Sequence, residues 1–214
     1  MFKKTKKRGF TLVEMIIAMS IFVVFSSVLI GSYTSIVKSQ RDANDYRLLY
    51  SESRSVFDNV SRELREGIVD YGWYKKNGGI SPGNLTEIVL ISKDVSTRTK
   101  IIFDKKDGFG KILLKKGNFQ QGQDPSLEDP IWEREVELNS KYLNILSFSF
   151  YVSPQIDPYD QNNVESNFSQ FHPKVTMSVS FERETKTGKK YSMDLQTMVS
   201  SRVYNQLYPI TETK

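Results

Sequence analysis

Glu14 is the most unusual charged residue in the sequence, because it immediately precedes a long uncharged run. The 23 residues from Met15 to Val37 carry no charge and are rich in isoleucine, valine, phenylalanine and methionine. As a helix rising ~1.5 Å per residue, the run spans about 35 Å, enough to cross a hydrocarbon core of ~30 Å. A carboxylate one turn into such a helix costs several kcal/mol unless it is protonated or paired. The position of Glu14 therefore predicts a function that depends on its charge.

Basic side chains are concentrated just before that carboxylate. The chain has 214 residues, 30 Lys and Arg, 25 Asp and Glu, and a formal net charge of +5. Five of the basic residues lie within the first nine positions, which contain no acid: Lys3, Lys4, Lys6, Lys7 and Arg8. The remaining side chains balance at 25 basic and 25 acidic, so the net charge does not indicate a nucleic-acid partner. Basic residues ahead of an apolar helix predict that this end stays in the cytoplasm.

The rest of the sequence offers little for catalysis. It contains no cysteine, and its single histidine, His172, precedes Pro173 without a second histidine as companion. A metal centre or an activated nucleophile needs such companions. The chain also lacks a Walker-type phosphate loop. We expect a protein that is not an enzyme.

One predicted loop is rich in oxygen ligands of the kind that calcium prefers. Its acidic and amide side chains include Asp157, Asp160, Asn162 and Glu165. Asp104 and Asp107, beside Gly108, form a weaker version. Neither group has the EF-hand spacing, and acidic loops are commonly just solvated. The sequence thus predicts no cofactor, with calcium as the alternative in this loop.

Three interpretations compete for the apolar segment. A cleaved secretory signal needs a small-x-small site after the run, and the residues around Gly31 to Thr34 fit one poorly. A plain signal anchor needs only the apolar run. Both leave Glu14 unexplained, and the third interpretation rests on the residues that lie between the basic block and Glu14.

The sequence Lys-Lys-Arg-Gly-Phe-Thr-Leu-Val-Glu at residues 6–14 resembles the class III signal of type IV pilins and type II secretion pseudopilins. In that family a membrane peptidase cuts after the glycine and N-methylates the new first residue. The resemblance implies cleavage after Gly9, methylation of Phe10, and Glu14 as the fifth mature residue. It also implies that Glu14 pairs with the amine of a neighbouring subunit during assembly. An amine and a carboxylate are each costly alone in apolar surroundings and much less so as a pair.

The helical pattern continues beyond the apolar run. Apolar side chains recur at three- and four-residue steps: Tyr46, Leu49, Tyr50, Val56, Phe57, Val60, Leu64 and Ile68. The first proline of the chain is Pro82. We predict one helix over about residues 10–68, whose second half packs its apolar stripe against the protein's own sheet.

Turn signals and short alternating runs follow. Turns are predicted at Tyr71-Gly72 and around Asn77 to Gly79, and hairpin turns at Asp107-Gly108 and 186–189. Strands are predicted at 87–92, 99–103, 111–115, 131–138, 145–152, 174–183 and 191–200, with long loops at 117–130 and 153–173. These elements predict an α+β fold, a long helix packed on an antiparallel sheet, and the resemblance implies that it is pilin-like. The expected segments are a leader (1–9), a transmembrane assembly helix (10–38), its amphipathic continuation (39–70) and an extracytoplasmic β-rich domain (71–214).

A second resemblance concerns the carboxy-terminal part. Residues 172–179 and 195–202 resemble the last hairpin of J-type minor pseudopilins and related minor pilins. The chain also lacks the helix-kinking proline and the cysteine pair typical of major type IV pilins. These features favour a minor subunit over the bulk subunit of a fibre.

Together the resemblances imply a minor pilin or pseudopilin in the initiating or tip complex of a type II secretion pseudopilus or a type IV pilus. Its expected partners are other pilin-like subunits through the helix, the prepilin peptidase and methyltransferase, and the inner-membrane assembly platform. The expected location is the cytoplasmic membrane, with one span and the globular domain outside, and then the pilus. The alternatives are an adhesive or DNA-binding minor pilin of a pilus or competence system, and a membrane-anchored binding domain that never assembles.

Overall fold

The fold is one long helix followed by a short helix and a series of antiparallel strands. The computed structural model describes residues 9–80, 84–120, 122–125, 128–158, 172–185 and 188–201. The helices are α1 (Leu12–Glu66) and α2 (Tyr71–Lys76). The strands are β1 (Ile68–Val69), β2 (Glu87–Ile91), β3 (Thr97–Lys106), β4 (Phe109–Asn118), β5 (Ile131–Glu137), β6 (Leu143–Ser153), β7 (Lys174–Glu184) and β8 (Lys190–Ser200). This order confirms the predicted α+β class.

The chain divides into two compact units, Met1–Arg47 and Leu48–Lys214. Helix α1 is confirmed as one uninterrupted element, and it ends slightly earlier than predicted because Gly67 follows it. A β-carbon at Gly67 would lie 2.9 Å from the β-carbon of Leu90, so the chain passes close to β2 there. Ile68 then pairs with Ile91 as the start of β1. This strand was not predicted, because Ile68 also fits the three- and four-residue spacing of the helix.

The apolar stripe of α1 is confirmed within the second unit. Leu49, Val56, Val60 and Leu64 are buried in one core with side chains from both sheets. Tyr46 and Tyr50 are exceptions to the prediction, because both are about half exposed, at 48% and 46%. The Tyr50 hydroxyl instead accepts a hydrogen bond from Arg54 Nη1 at 3.1 Å, on the solvent side.

The strands form two sheets instead of the single sheet that was predicted. The first has the order β1-β2-β3-β4-β5 and the second has the order β6-β7-β8, and all the pairs are antiparallel. All seven predicted strands are present, and several extend further than predicted. Strand β4 continues to Asn118, which pairs with Thr97, so the first long loop begins after Asn118.

The strands of the second sheet could be predicted from the sequence because buried and exposed side chains alternate along them. Inward and outward side chains alternate along β6 and β7, and the inward ones are buried: Phe148, Phe150, Val152, Val175, Met177, Val179 and Phe181. The rings of Phe148 and Phe150 meet edge-to-face with centroids 4.6 Å apart. The alternation has the period of two expected for a strand with one buried face.

The predicted turn at Tyr71-Gly72 is wrong, because those residues open α2. The side chain of Asp70 caps this helix, accepting a hydrogen bond from the Trp73 amide at 2.9 Å. Tyr74 is buried and its hydroxyl accepts from the Val89 amide at 3.2 Å. Burial raises the pKa of the Tyr74 phenol. A strong cap and buried aromatic rings thus overrode the turn tendency of Gly72.

The other turn predictions have different outcomes. Gly78 and Gly79 have left-handed backbone, as a turn after α2 requires. Asp107 and Gly108 also have positive φ and join β3 to β4, which confirms that hairpin turn. Strands β7 and β8 pair up to Glu184 and Lys190, so the second hairpin is confirmed as a connection, although residues 186–187 lie outside the described part.

Two asparagines join the sheets where they meet. Asn139 Oδ1 accepts from the Ile112 amide at 2.9 Å, and its Nδ2 donates to the carbonyls of Gly110 (3.2 Å) and Leu143 (2.8 Å). Asn144 Oδ1 accepts from the Gly110 amide at 2.8 Å. These side chains replace strand partners for β4, so backbone groups that would otherwise be buried without partners are satisfied.

The close approach at this junction requires a glycine. A β-carbon at Gly110 would lie only 2.0 Å from the carbonyl oxygen of Ile145. We expect Gly110→Ala to lower the free energy of unfolding by about 1–3 kcal/mol, as overpacking does. Gly72→Ala is the control, because its nearest neighbour would lie at an ordinary 3.4 Å. Urea unfolding of the full chain in detergent, followed by tryptophan fluorescence, measures both. Equal stability of the two variants would contradict the tight junction.

Arg98 on β3 is a buried charge that donates four hydrogen bonds, and its side chain is 1% exposed. Its Nε donates to Asp70 at 2.8 Å, and Nη1 donates to Asp129 at 3.0 Å. The carbonyl oxygens of Pro125 and Glu128 accept from Nη2 and Nη1, and the ring of Phe119 lies 4.9 Å from the guanidinium carbon. Arg98 thereby ties the loop between β4 and β5 to the residue that caps α2.

Ion pairs attach α1 to both sheets within the second unit. Glu63 pairs with Lys116 of β4 at 2.8 Å. Glu52, three turns earlier, pairs with Arg183 of β7 at 2.7 Å and accepts from the Ser140 hydroxyl at 3.2 Å. The buried residues Val56 and Val60 of the apolar stripe lie between these two attachments.

Candidate functional site

The start of α1 is built by a reciprocal pair of side chains. Oε2 of Glu14 accepts hydrogen bonds from the Thr11 amide at 2.8 Å and from the Thr11 hydroxyl at 2.9 Å. Thr11 Oγ1 in turn accepts from the Glu14 amide at 3.3 Å. This is a capping box, in which two amides that the helix leaves unpaired are satisfied together. It explains why α1 begins at Leu12.

The predicted cleavage position lies just outside that helix. Gly9 and Phe10 have no regular secondary structure and are exposed, Phe10 at 84%. Apart from its chain neighbours, no atom of the described residues lies within 4 Å of the position that a Gly9 β-carbon would take. The peptide bond between Gly9 and Phe10 therefore lies before the start of α1 and is exposed in the described part of the chain. The basic residues of the leader lie outside the described part of the chain.

The apolar half of α1 presents its side chains to the outside on every face. Large apolar residues from Leu12 to Ile36 are more than half exposed, among them Ile16, Phe22, Val24 and Leu29. By length and composition, α1 qualifies as one membrane-crossing helix. An apolar surface of this extent needs lipid or other helices around it.

Three hydroxyl groups of this segment donate hydrogen bonds to carbonyl oxygens of the helix itself. Ser20 donates to the Ile17 carbonyl at 2.8 Å, Ser27 to the Val23 carbonyl at 2.8 Å, and Thr34 to the Gly31 carbonyl at 2.9 Å. Glu14 is the one charged side chain between Leu12 and Val37. A charged partner for this segment would therefore have to engage Glu14.

The calcium prediction stays a prediction. Asp157 follows β6, whereas Asp160, Asn162 and Glu165 lie outside the described residues. Within the described ranges, no group of three or more Asp, Glu, His or Cys side chains is close enough to hold a metal ion.

The weaker calcium candidate is engaged in other ways. Asp104 forms an ion pair with Lys106 at 3.0 Å, and the hydrogen bond to Asp104 raises the pKa of that lysine. Asp107 serves as the left-handed residue of the β3–β4 turn. The side chain of Asp104 and the backbone of Asp107 therefore contribute to the structure of this hairpin.

Thr11 is the site residue that the sequence interpretation missed. A threonine three positions before a glutamate, directly ahead of an apolar run, is the signature of a capping box. The signal was present at Thr11-Leu12-Val13-Glu14. The capping box was not recognised because the same four residues also belong to the processing signal.

Comparison with known proteins gives one match. The family model described as the prokaryotic N-terminal methylation motif matches residues 4–30. No curated protein and no solved structure matches the chain. The match covers the leader from Lys4 onward, Phe10, the capping box and the uncharged run as far as Ile30.

The motif and the exposed apolar helix indicate a type IV pilin-like protein with a membrane helix. The long helix followed by antiparallel sheets is the pilin-like architecture that this motif implies. The motif also implies processing by prepilin peptidase and assembly with other pilin subunits.

Proposed function

We propose that the chain is a minor pilin or pseudopilin, a structural subunit of a type II secretion pseudopilus or a type IV pilus. The observation that carries this proposal is the methylation motif at residues 4–30, in register with an exposed apolar helix. The chain is then a substrate of processing enzymes and a building unit, and not itself an enzyme. Its partners are other pilin-like subunits and the inner-membrane assembly platform.

The first step is removal of the leader. The prepilin peptidase hydrolyses the bond between Gly9 and Phe10, which lies outside the helix. Water adds across that bond, so Gly9 leaves with a carboxylate and Phe10 keeps the amine. The methyltransferase then transfers a methyl group from a methyl donor to the nitrogen of this amine, which loses a proton. Five positive charges leave with the leader.

The second step is assembly through the apolar helix. The basic leader holds the amino terminus in the cytoplasm, so the β-rich domain lies outside the membrane. Glu14 pairs with the positive amine of a neighbouring subunit, which relieves both groups of an unpaired charge in apolar surroundings. That pairing sets the axial stagger of subunits as they leave the membrane.

A place in the initiating or tip complex is supported by the helix and by the last hairpin. Helix α1 runs without a break from Leu12 to Glu66, and the chain contains no cysteine pair. The described parts of the two segments that resemble a J-type minor subunit lie largely in β7 and β8, with Val175 opposite Val199. The sequence of α1 contains no proline that could kink the helix, and the sequence contains no cysteine pair that could close a loop, whereas both features are typical of major pilins.

Intact mass of the protein extracted from membranes tests the proposal. We expect a chain that begins at N-methylated Phe10. Gly9→Leu is the matched control, because the position is sterically open and the folded unit is untouched, and this variant should keep residues 1–9. A wild-type chain that retains its leader in cells with an active prepilin peptidase would contradict the proposed function.

A further inference from the structure

We propose that Thr11 is a positioning residue for the assembly carboxylate, holding Oε2 of Glu14 so that Oε1 remains to accept the neighbour's amine. This inference rests on the proposed function, in which Glu14 pairs with an amine. It assigns the two oxygens of one carboxylate to two tasks: one oxygen caps the subunit's own helix, and the other binds the next subunit.

The hydrogen bonds divide the carboxylate in this way. Both donors of Thr11, the amide at 2.8 Å and the hydroxyl at 2.9 Å, bind the same oxygen, Oε2. Among the described residues, Oε1 of Glu14 accepts no hydrogen bond. An ionised carboxylate offers about four acceptor positions, so Oε1 keeps its full capacity for a charged donor.

The arrangement survives processing. Cleavage breaks the bond before Phe10, whereas the Thr11 amide belongs to the next peptide bond along the chain. Both donors of Thr11 are therefore still present in the mature subunit, and the methylated amine lies one residue before them. The same contacts that start the helix before cleavage hold the carboxylate after it.

Fixing the side chain in advance strengthens the pairing. A glutamate on a helix surface loses rotamer freedom when it binds a partner, and this loss weakens the contact. Two hydrogen bonds from Thr11 impose most of that ordering before the neighbour arrives. The hydroxyl is the component that a side-chain substitution can remove, because the amide is part of the backbone.

Full-length variants expressed with the assembly machinery test the inference. Thr11→Val has nearly the same shape but no hydroxyl, and Thr11→Ser keeps the hydroxyl. Thr34→Val is the matched control, because the Thr34 hydroxyl bonds only to its own helix, at Gly31. Incorporation into filaments is counted per methylated subunit, so slower processing does not register as an assembly defect.

We expect Thr11→Val to lower incorporation about fivefold, the equivalent of one lost capping hydrogen bond. Thr11→Ser should stay within about twofold of wild type, since serine caps as well as threonine. Thr34→Val should match wild type. A zero-length carbodiimide cross-link between Glu14 and a neighbour's amino terminus, read by mass spectrometry, should fall in parallel in Thr11→Val.

Failure of this inference is distinguishable from failure of the proposed function. If Thr11→Val assembles like wild type while Glu14→Ala does not, Thr11 has no positioning role and the proposed function stands. If Thr11→Ser fails as Thr11→Val does, the hydroxyl is not the cause and the inference is wrong. If Glu14→Ala itself assembles normally, the proposed pairing is wrong.

Discussion

Glu14→Ala is expected to leave membrane insertion, cleavage and methylation intact and to reduce incorporation into filaments more than a hundredfold. The amine of the neighbouring subunit would lose its counter-charge in apolar surroundings. Removing one partner of a buried ion pair costs about 3–5 kcal/mol, and each 1.4 kcal/mol is about tenfold. The capping box contributes only about 1 kcal/mol to this loss. The ratio of filament-bound to membrane-bound methylated subunit measures the effect.

Glu14→Gln removes the negative charge of Glu14 but keeps an oxygen that can accept the capping hydrogen bonds from Thr11. The amide oxygen of glutamine can still accept from Thr11, so α1 should begin at the same place, but no negative charge remains. We expect this variant to fail in assembly nearly as severely as Glu14→Ala. Asp58→Ala is the control, because it removes an acid from the exposed face of the same helix. Normal incorporation of Glu14→Gln would show that charge pairing is not what the carboxylate supplies.

Arg98→Met is expected to lower the free energy of unfolding by about 3–5 kcal/mol. The carboxylate of Asp70, 6% exposed, would remain buried without its guanidinium, and the carbonyls of Pro125 and Glu128 would lose their donor. Since Asp70 also caps α2, the loss should loosen the segment that carries Trp73. Denaturant unfolding of the full chain in detergent, followed by the fluorescence of Trp73 and Trp132, measures it.

A surface ion pair provides the comparison for Arg98. Arg54 pairs with Asp58 at 3.5 Å, and both side chains are more than 60% exposed. Exposed pairs contribute about 0–1 kcal/mol, so Arg54→Met should change stability by no more than that. If both methionine variants unfold at the same denaturant concentration, Arg98 is not the anchor that its contacts suggest.

The sequence alone predicted the elements that show a regular spacing of apolar side chains along a single segment. The uncharged run and the stripe at Leu49, Val56 and Val60 predicted α1, and the alternation in β6 and β7 predicted the second sheet. In each case, one face is buried along a whole element. The side-chain period then reports the secondary structure directly.

Features that depend on distant partners were not predictable. The division into two sheets is set by side-chain caps on β4 from Asn139 and Asn144, which look like ordinary polar loop residues in the sequence. Arg98 stands in a strand among polar neighbours, and its burial depends on a loop about 30 residues away. Strand β1 and helix α2 were missed because both are very short.

The sequence pointed to three residues of the candidate site but not to Thr11 or to the geometry of its contacts. Gly9, Phe10 and Glu14 followed from a linear signal in the sequence. The use of a single carboxylate oxygen by Thr11 is a matter of rotamer and distance, which no linear signal records.

The two ion pairs that attach α1 to the sheets have a mechanical consequence. Glu63 is held by a strand of one sheet and Glu52 by a strand of the other, with the buried residues Val56 and Val60 of α1 between them. A force that pulls along α1 would load these contacts together, in shear, because they all join the same helix to the folded unit. Bonds that share a load in parallel resist it far better than bonds that open one after another, so tension transmitted along the helix would reach both sheets at once.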